Sequence, residues 1–195
     1  MFTCYKNINI VNFYYLINCI YITLLYIYYL IFCLKTYVLS KKETEKILDI
    51  INKTWKNISI PKIKNIKVFE IEDNKSIFVI DSIIGISNNN ELILPFLRKT
   101  EILEKFSSIT VDSGSIKFIC NGAKILRPGI VKFDSFSKND IVVVKDEKFS
   151  KFISVGLALE DSSIAEKLEK GYVIDNLHYV GDKFWNAFKE ISFRL

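Results

Sequence analysis

The 195 residues include a single histidine, one methionine, three prolines, seven glycines and four cysteines. The cysteines, at 4, 19, 33 and 120, form no Cys-x-x-Cys pair and no cluster with the histidine, which argues against a zinc or other soft-metal site. Little Gly and Pro beside 25% charged residues excludes a collagen-like, low-complexity or wholly disordered chain. Over residues 35–107 there is no Gly-rich phosphate loop, no nucleophile near a histidine and no clustered carboxylates, and the expectation for the chain is no catalytic residue, no metal site and no cofactor. With half of the residues apolar and 14% aromatic, the chain can pack one sizeable domain or two small ones.

Charge is absent altogether between Lys6 and Lys35, a run of 28 residues rich in Ile, Leu, Tyr, Phe and Asn. Every acid, and every basic residue but Lys6, lies beyond it, where 26 cations against 22 acids leave a net +4. So mild an excess permits nucleic-acid binding without demanding it. Residues 10–33 are long enough to span a bilayer, and Lys35, Lys41 and Lys42 would then keep the rest of the chain on the cytoplasmic side. A cleaved signal fits worse, because no small-residue cleavage site follows the run. Asn7, Asn9, Asn12 and Asn18 would carry amides into hydrocarbon, and the vocabulary is that of AT-rich codons. The preferred reading is therefore a start assigned too early, with the native protein beginning near Leu34. A membrane contact exists only if residues 1–34 do.

Beyond this run the patterning is ordinary. Ser40 followed by Glu43 is a capping box, and Ile47, Leu48, Ile50, Ile51 and Trp55 supply an apolar face, which predicts a helix over about 41–54. Pro61 begins a new element. Residues 66–71 and 77–80 read as strands around a polar turn at 72–75, Asn88–Asn90 as a turn, and 92–94 as a further strand. Pro95 is expected to open a short helical piece reaching Phe106.

The C-terminal part carries the motifs. Asp112 is placed to cap a two-turn helix whose Ile116, Ile119 and Cys120 face inward and whose Lys117 and Asn121 face outward. Gly122 ends it, Gly122-Ala123 is small enough to bring backbone amides near a phosphate or base edge, and Pro128-Gly129 suits a tight turn. Residues 141–144, 153–159 and 172–177 read as strands, with a short helix capped by Ser163 and Glu166 and stopped at Gly171. Short strands with two small helices suggest a compact, partly open barrel.

The helix and Gly122-Ala123 loop, Arg127-Pro128-Gly129-Ile130, the strand Asp140–Val144, Val155-Gly156 and the ending Asn176-Leu177-His178-Tyr179-Val180-Gly181-Asp182-Lys183-Phe184-Trp185 together resemble a PUA domain. With Val111–Phe118, that ending is similar to the small archaeal PUA proteins related to the eukaryotic T-cell-lymphoma-amplified translation factor. Gly114-Ser115 stands where those relatives have Gly-Ala, and Leu94-Pro95-Phe96-Leu97 where they have Pro-Thr-Leu. The resemblance implies an α+β fold, with a small α/β pre-PUA domain over 35–107 followed by a PUA pseudo-barrel over 108–190.

It also implies a non-catalytic, cytoplasmic RNA-binding protein of the translation apparatus, acting with the small ribosomal subunit and tRNA in initiation, re-initiation or recycling. Structured RNA (rRNA or tRNA) and a density-regulated-type initiation factor are the partners it suggests. The alternative is an accessory RNA-binding subunit of a tRNA-modifying enzyme of the pseudouridine synthase or transglycosylase type. The implied RNA-facing residues are Gly114, Lys117, Asn121, Gly122, Ala123, Lys124, Leu126, Arg127, Pro128 and Gly129, with Lys117, Lys124 and Arg127 meeting phosphates. His178 is expected to make a structural hydrogen bond toward Asp182, Trp185 and Phe188 to be core, and Asp146, Glu147 and Asp161 to be solvated turn residues.

Overall fold

The computed structural model describes residues 21–23, 35–56, 58, 63, 65–81, 83–89 and 91–192. Contacts divide the chain into Met1–Lys35 and Thr36–Leu195. Of the uncharged run, residues 21–23 are helical; the expectations of a start near Leu34 or of a membrane anchor fall on residues otherwise outside the described ones. Among the described residues no helix is long and apolar enough to cross a membrane.

The capping box forms as the sequence predicts. Ser40 N–H donates to Glu43 Oε2 at 2.9 Å and Glu43 N–H to Ser40 Oγ at 3.4 Å, starting helix α1 (Lys41–Thr54). The bonds from Ser40 hold the Glu43 carboxyl below its ordinary pKa. Ile47 and Ile51 face the first sheet's core, and Trp55, 1% exposed, closes the helix with its Nε1–H donated to Ile93 O at 2.8 Å. That sheet runs β1 (Lys35–Val38), β2 (Lys67–Glu72), β3 (Lys75–Ile80), β4 (Ile83–Asn88), β5 (Leu92–Pro95), in spatial order as in sequence. Antiparallel pairing joins β2 through β5.

Pro95 closes β5 opposite Gly85 instead of opening a helix. An edge strand tolerates a residue with no N–H to donate, and the helical piece shrinks to α2 (Thr100–Leu103).

A second sheet follows: β6 (Ser108–Val111), β7 (Ile125–Leu126), β8 (Ile130–Phe133), β9 (Ile141–Asp146), β10 (Phe152–Ala158) and β11 (Tyr172–Tyr179), in the order β7-β11-β10-β9-β6-β8. Only the β6–β9 pairing is parallel. Gly156 sits where β10 slips register against β11, and a Cβ there would lie 2.1 Å from Asp175 O, so the close approach needs glycine. The core gathers Ile109, Val111, Ile119, Val142, Val144 and Val173, with Ile116 and Phe133 packed against it. This is the mixed α+β pseudo-barrel expected from the sequence.

Two caps differ from expectation. The predicted two-turn helix is a single turn, α3 (Ile116–Ile119), preceded by a turn that Asp112 ties down by accepting Ser115 N–H at 2.8 Å. Helix α4 (Ser162–Ala165) is capped by Asp161, not Ser163; Asp161 makes no side-chain cap bond because its Oδ1 accepts Lys138 N–H at 2.7 Å.

After the barrel comes α5 (Lys183–Ile191), whose Trp185 and Phe188 meet Arg98 and Phe96 from the segment after β5. His178 is fully buried; Leu97 N–H donates to its Nε2 at 3.3 Å, so Nδ1 carries the proton and donates to Asp182 Oδ2 at 2.6 Å. Asp182 Oδ1 in turn caps α5 by accepting Trp185 N–H at 2.7 Å. Phe96 stacks on His178 with ring centroids 5.2 Å apart and lies 4.6 Å from Phe188, while the Arg98 guanidinium sits 4.7 Å over Trp185. Lys183–Glu72 at 2.6 Å and Lys56–Asp140 at 2.5 Å add ion pairs between the halves. The structural role expected for His178 is thus met, with a second hydrogen-bond partner, Leu97, that lies 81 residues away in the chain.

Candidate nucleic-acid interface

Helix α3 ends in a Schellman motif, with Gly122 N–H donated to Ile119 O at 3.0 Å and Ala123 N–H to Phe118 O at 3.1 Å. Gly122 has φ +85°, where a side chain would be strained, and a Cβ there would also crowd the Tyr179 hydroxyl at 3.0 Å. The expectation that these two amides meet a phosphate is corrected: both are already donated within the motif.

The loop is pinned from beneath by a buried network that the sequence reading missed. Asn176 Nδ2 donates to Ile119 O at 2.9 Å and to Ala123 O at 3.0 Å, and Ser154 Oγ donates to Asn176 Oδ1 at 2.6 Å. Asn176 follows Asp175 in a strand and carries no local signal of this role, because the loop carbonyls it holds lie more than 50 residues away.

The structure divides the predicted residues into three groups. Ala123, Lys124 and Leu126 line a groove of about 480 Å³ together with Ser115, Phe118, Ile119, Ile125 and Tyr172. Its rim is apolar and open: Phe118 is 63%, Leu126 48% and Tyr172 58% exposed. Phe118 and Tyr172 were not predicted. With Ile116, Ile119 and Cys120 turned inward, helical geometry leaves Phe118 facing outward, and that was the legible sign. Lys117 on α3 and Asn121 in the turn that follows it are both exposed.

Arg127, Pro128 and Gly129 form a separate 3-10 turn before β8. Gly129 O accepts Asp112 N–H at 3.0 Å, which brings this turn against the segment holding Gly114. Arg127 is engaged internally: Nη1 donates to Ile130 O at 3.0 Å, Nη2 to Glu166 O at 3.1 Å, and the guanidinium lies 5.2 Å from the Phe133 ring centre. Lys124 makes an exposed ion pair with Asp175 at 3.1 Å, a contact of the kind that holds weakly and yields readily to another anion. The cations this surface offers to solvent are therefore Lys117 and Lys124. Burial raises the pKa of the half-buried Cys120 thiol.

Asp146 departs from expectation. It is 4% exposed, its carboxylate accepting Phe149 N–H at 2.6 Å and Lys151 N–H at 2.9 Å, so a buried acid is compensated by the donors of its own turn. Among the described residues no group of three or more His, Cys, Asp or Glu is arranged to hold a metal ion.

A curled six-stranded sheet, crossed by a short helix that ends in a glycine-bearing loop, defines the class of protein, and the family model for the PUA domain matches residues 107–180. The chain is 37% identical, over 78% of its length and 96% of the relative's, to the uncharacterized protein MJ1432 of Methanocaldococcus jannaschii. It is 30% identical to translation machinery-associated protein 20 of Schizosaccharomyces pombe, over 67% of this chain and 76% of that one. A conserved PUA domain protein from Thermoplasma acidophilum has the same fold, with TM-score 0.59 and 26% identity over 79% of this chain and 99% of that one. The chain belongs to the PUA-protein family that joins this archaeal protein to translation machinery-associated protein 20 and the malignant T-cell-amplified sequences.

Proposed function

We propose that this protein is a non-catalytic, cytoplasmic RNA-binding factor of the translation apparatus, acting in initiation, re-initiation or recycling with structured rRNA or tRNA as its ligand. The small ribosomal subunit and a density-regulated-type initiation factor are its proposed partners. The observation that carries this reading is the open groove on the PUA barrel, with Phe118, Leu126 and Tyr172 exposed and Lys117 and Lys124 beside them. Rigid aromatics flanked by cations suit bases and phosphates together, and relatives of this chain bear a translation name.

In this reading Lys117 and Lys124 meet phosphates, Asn121 and Leu126 meet the nucleotide, and Gly114, Gly122, Ala123, Arg127, Pro128 and Gly129 shape the face. The unit comprises two domains, 35–107 and 108–190, meeting near residue 107. The test is affinity for unfractionated tRNA and for small-subunit rRNA across a salt series. Lys117→Ala and Lys124→Ala should each weaken binding and flatten the slope of log affinity against log salt by about 0.7–0.9. Lys46→Ala, on the exposed face of α1, is the control. Loop variants that behave like this control would overturn the proposal.

A further inference from the structure

The tip of the β9–β10 hairpin is built more firmly than a solvated turn requires. Besides the two bonds into the Asp146 carboxylate, Ser150 N–H donates to Asp146 O at 3.0 Å and Asp146 N–H to Lys151 O at 3.0 Å. Ser150 is held at φ +53°, a conformation that non-glycine residues adopt only when their surroundings fix it. Glu147 N–H donates to Val111 O at 3.0 Å, tying the tip to the end of β6.

On this rigid support Phe149 is 66% exposed, more than any other large apolar side chain among the described residues of the barrel, and Lys148 Nζ lies 5.2 Å from its ring centre. Leaving a phenylalanine in water forgoes the stabilisation of burying it. Its position is informative. Val111 is paired with Ile130 on one side and Asp146 on the other, so the tip stands at the sheet end where the Asp112–Ser115 turn and the Arg127–Gly129 turn meet.

We infer that Phe149 is a stacking platform for an unpaired nucleobase of the bound RNA, with Lys148 meeting the adjoining phosphate. This extends the RNA footprint from the groove, across the turn that holds Gly114, to the hairpin tip, and it rests on the RNA-binding reading above. The aromatic face takes any base, because every base has a π-face. The acid beside it, Glu147, faces away from a phosphate role by sign, which leaves Lys148 as the tip's anion-binding group.

The experiment compares two RNA hairpins of identical stem, one blunt and one with a single-stranded 3′ overhang, against wild type, Phe149→Ala, Phe149→Leu, Phe149→Trp and Lys124→Ala, with thermal unfolding of each variant. Phe149→Ala should weaken overhang binding by about 5- to 150-fold with its salt slope unchanged, leave blunt-hairpin binding as in wild type, and keep the melting temperature. Phe149→Trp should restore the loss and Phe149→Leu should not, since leucine keeps apolarity without a π-face. Overhang affinity unchanged in Phe149→Ala while Lys124→Ala weakens both hairpins would overturn this inference and leave the RNA reading standing; no effect of either variant would overturn both. Full rescue by Phe149→Leu, or a Phe149→Ala defect confined to binding a protein partner, would assign the tip to protein contact and also overturn it.

Discussion

At the scale of single residues, the surface chemistry and the support beneath it are separable. Arg127 satisfies the carbonyl of Glu166 at the end of α4 and that of Ile130, so Arg127→Ala should lower stability by about 1–3 kcal/mol as well as weakening RNA binding. Lys124→Ala, which loses only an exposed ion pair, should change stability by less than about 1 kcal/mol. Chemical denaturation of the two variants distinguishes them; equal stability losses would contradict the assignment. Asn176→Ala removes the side-chain donor to Ile119 O and Ala123 O and leaves Ser154 without its acceptor. It should cost about 1–3 kcal/mol and speed amide exchange at Gly122 and Ala123, measurable by NMR, more than elsewhere in the barrel.

At the scale of elements, α3 is held by its inward face. Ile119 is 2% exposed within the barrel core, and Ile119→Asp would bury a charge without a partner, a loss of about 3–5 kcal/mol that should unfold the barrel. A variant with unchanged near-ultraviolet circular dichroism would refute this packing. The start of α5 is joined to the β2–β3 hairpin by Lys183–Glu72, and Lys75 also bonds Glu72. Hydrogen bonds from Lys183 and then Lys75 lower the Glu72 pKa, and Glu72 raises that of Lys183. A depressed carboxylate contributes above its ordinary pKa and ceases to as pH falls through the lowered value; a raised lysine contributes below its ordinary pKa and ceases to as pH rises through the raised one. Stability from this pair should be level between those limits and decline outside them. Because both groups are fully exposed the effect is small, and Glu72→Gln should flatten the acid limb of a melting-temperature profile taken at low salt.

At the scale of the whole molecule, Phe96 is the keystone between the halves, stacked on His178 from the barrel and tilted against Phe188 from α5. Phe96→Ala should cost about 3–5 kcal/mol and split one calorimetric transition into two, the barrel melting apart from the first sheet. A single transition shifted as a whole would count against two domains meeting near residue 107.

Much of this was determined by sequence alone. The α1 capping box, the β2–β3 and β9–β10 strands, the inward face of α3 and the glycine that ends it follow from local chemistry, in which spacing and side-chain type suffice. β4 was missed because Ile83 to Ser87 are buried on both faces, which erases the alternation that marks a strand. Pro95, Asp146 and Arg127 were misjudged because a proline's place at a sheet edge, a carboxylate's burial and a guanidinium's free donors depend on partners supplied by the chain at a distance. The apolar rim of the groove, the Asn176 network and the His178–Leu97 bond were decided by tertiary structure, since each joins segments tens of residues apart that no sequence period relates.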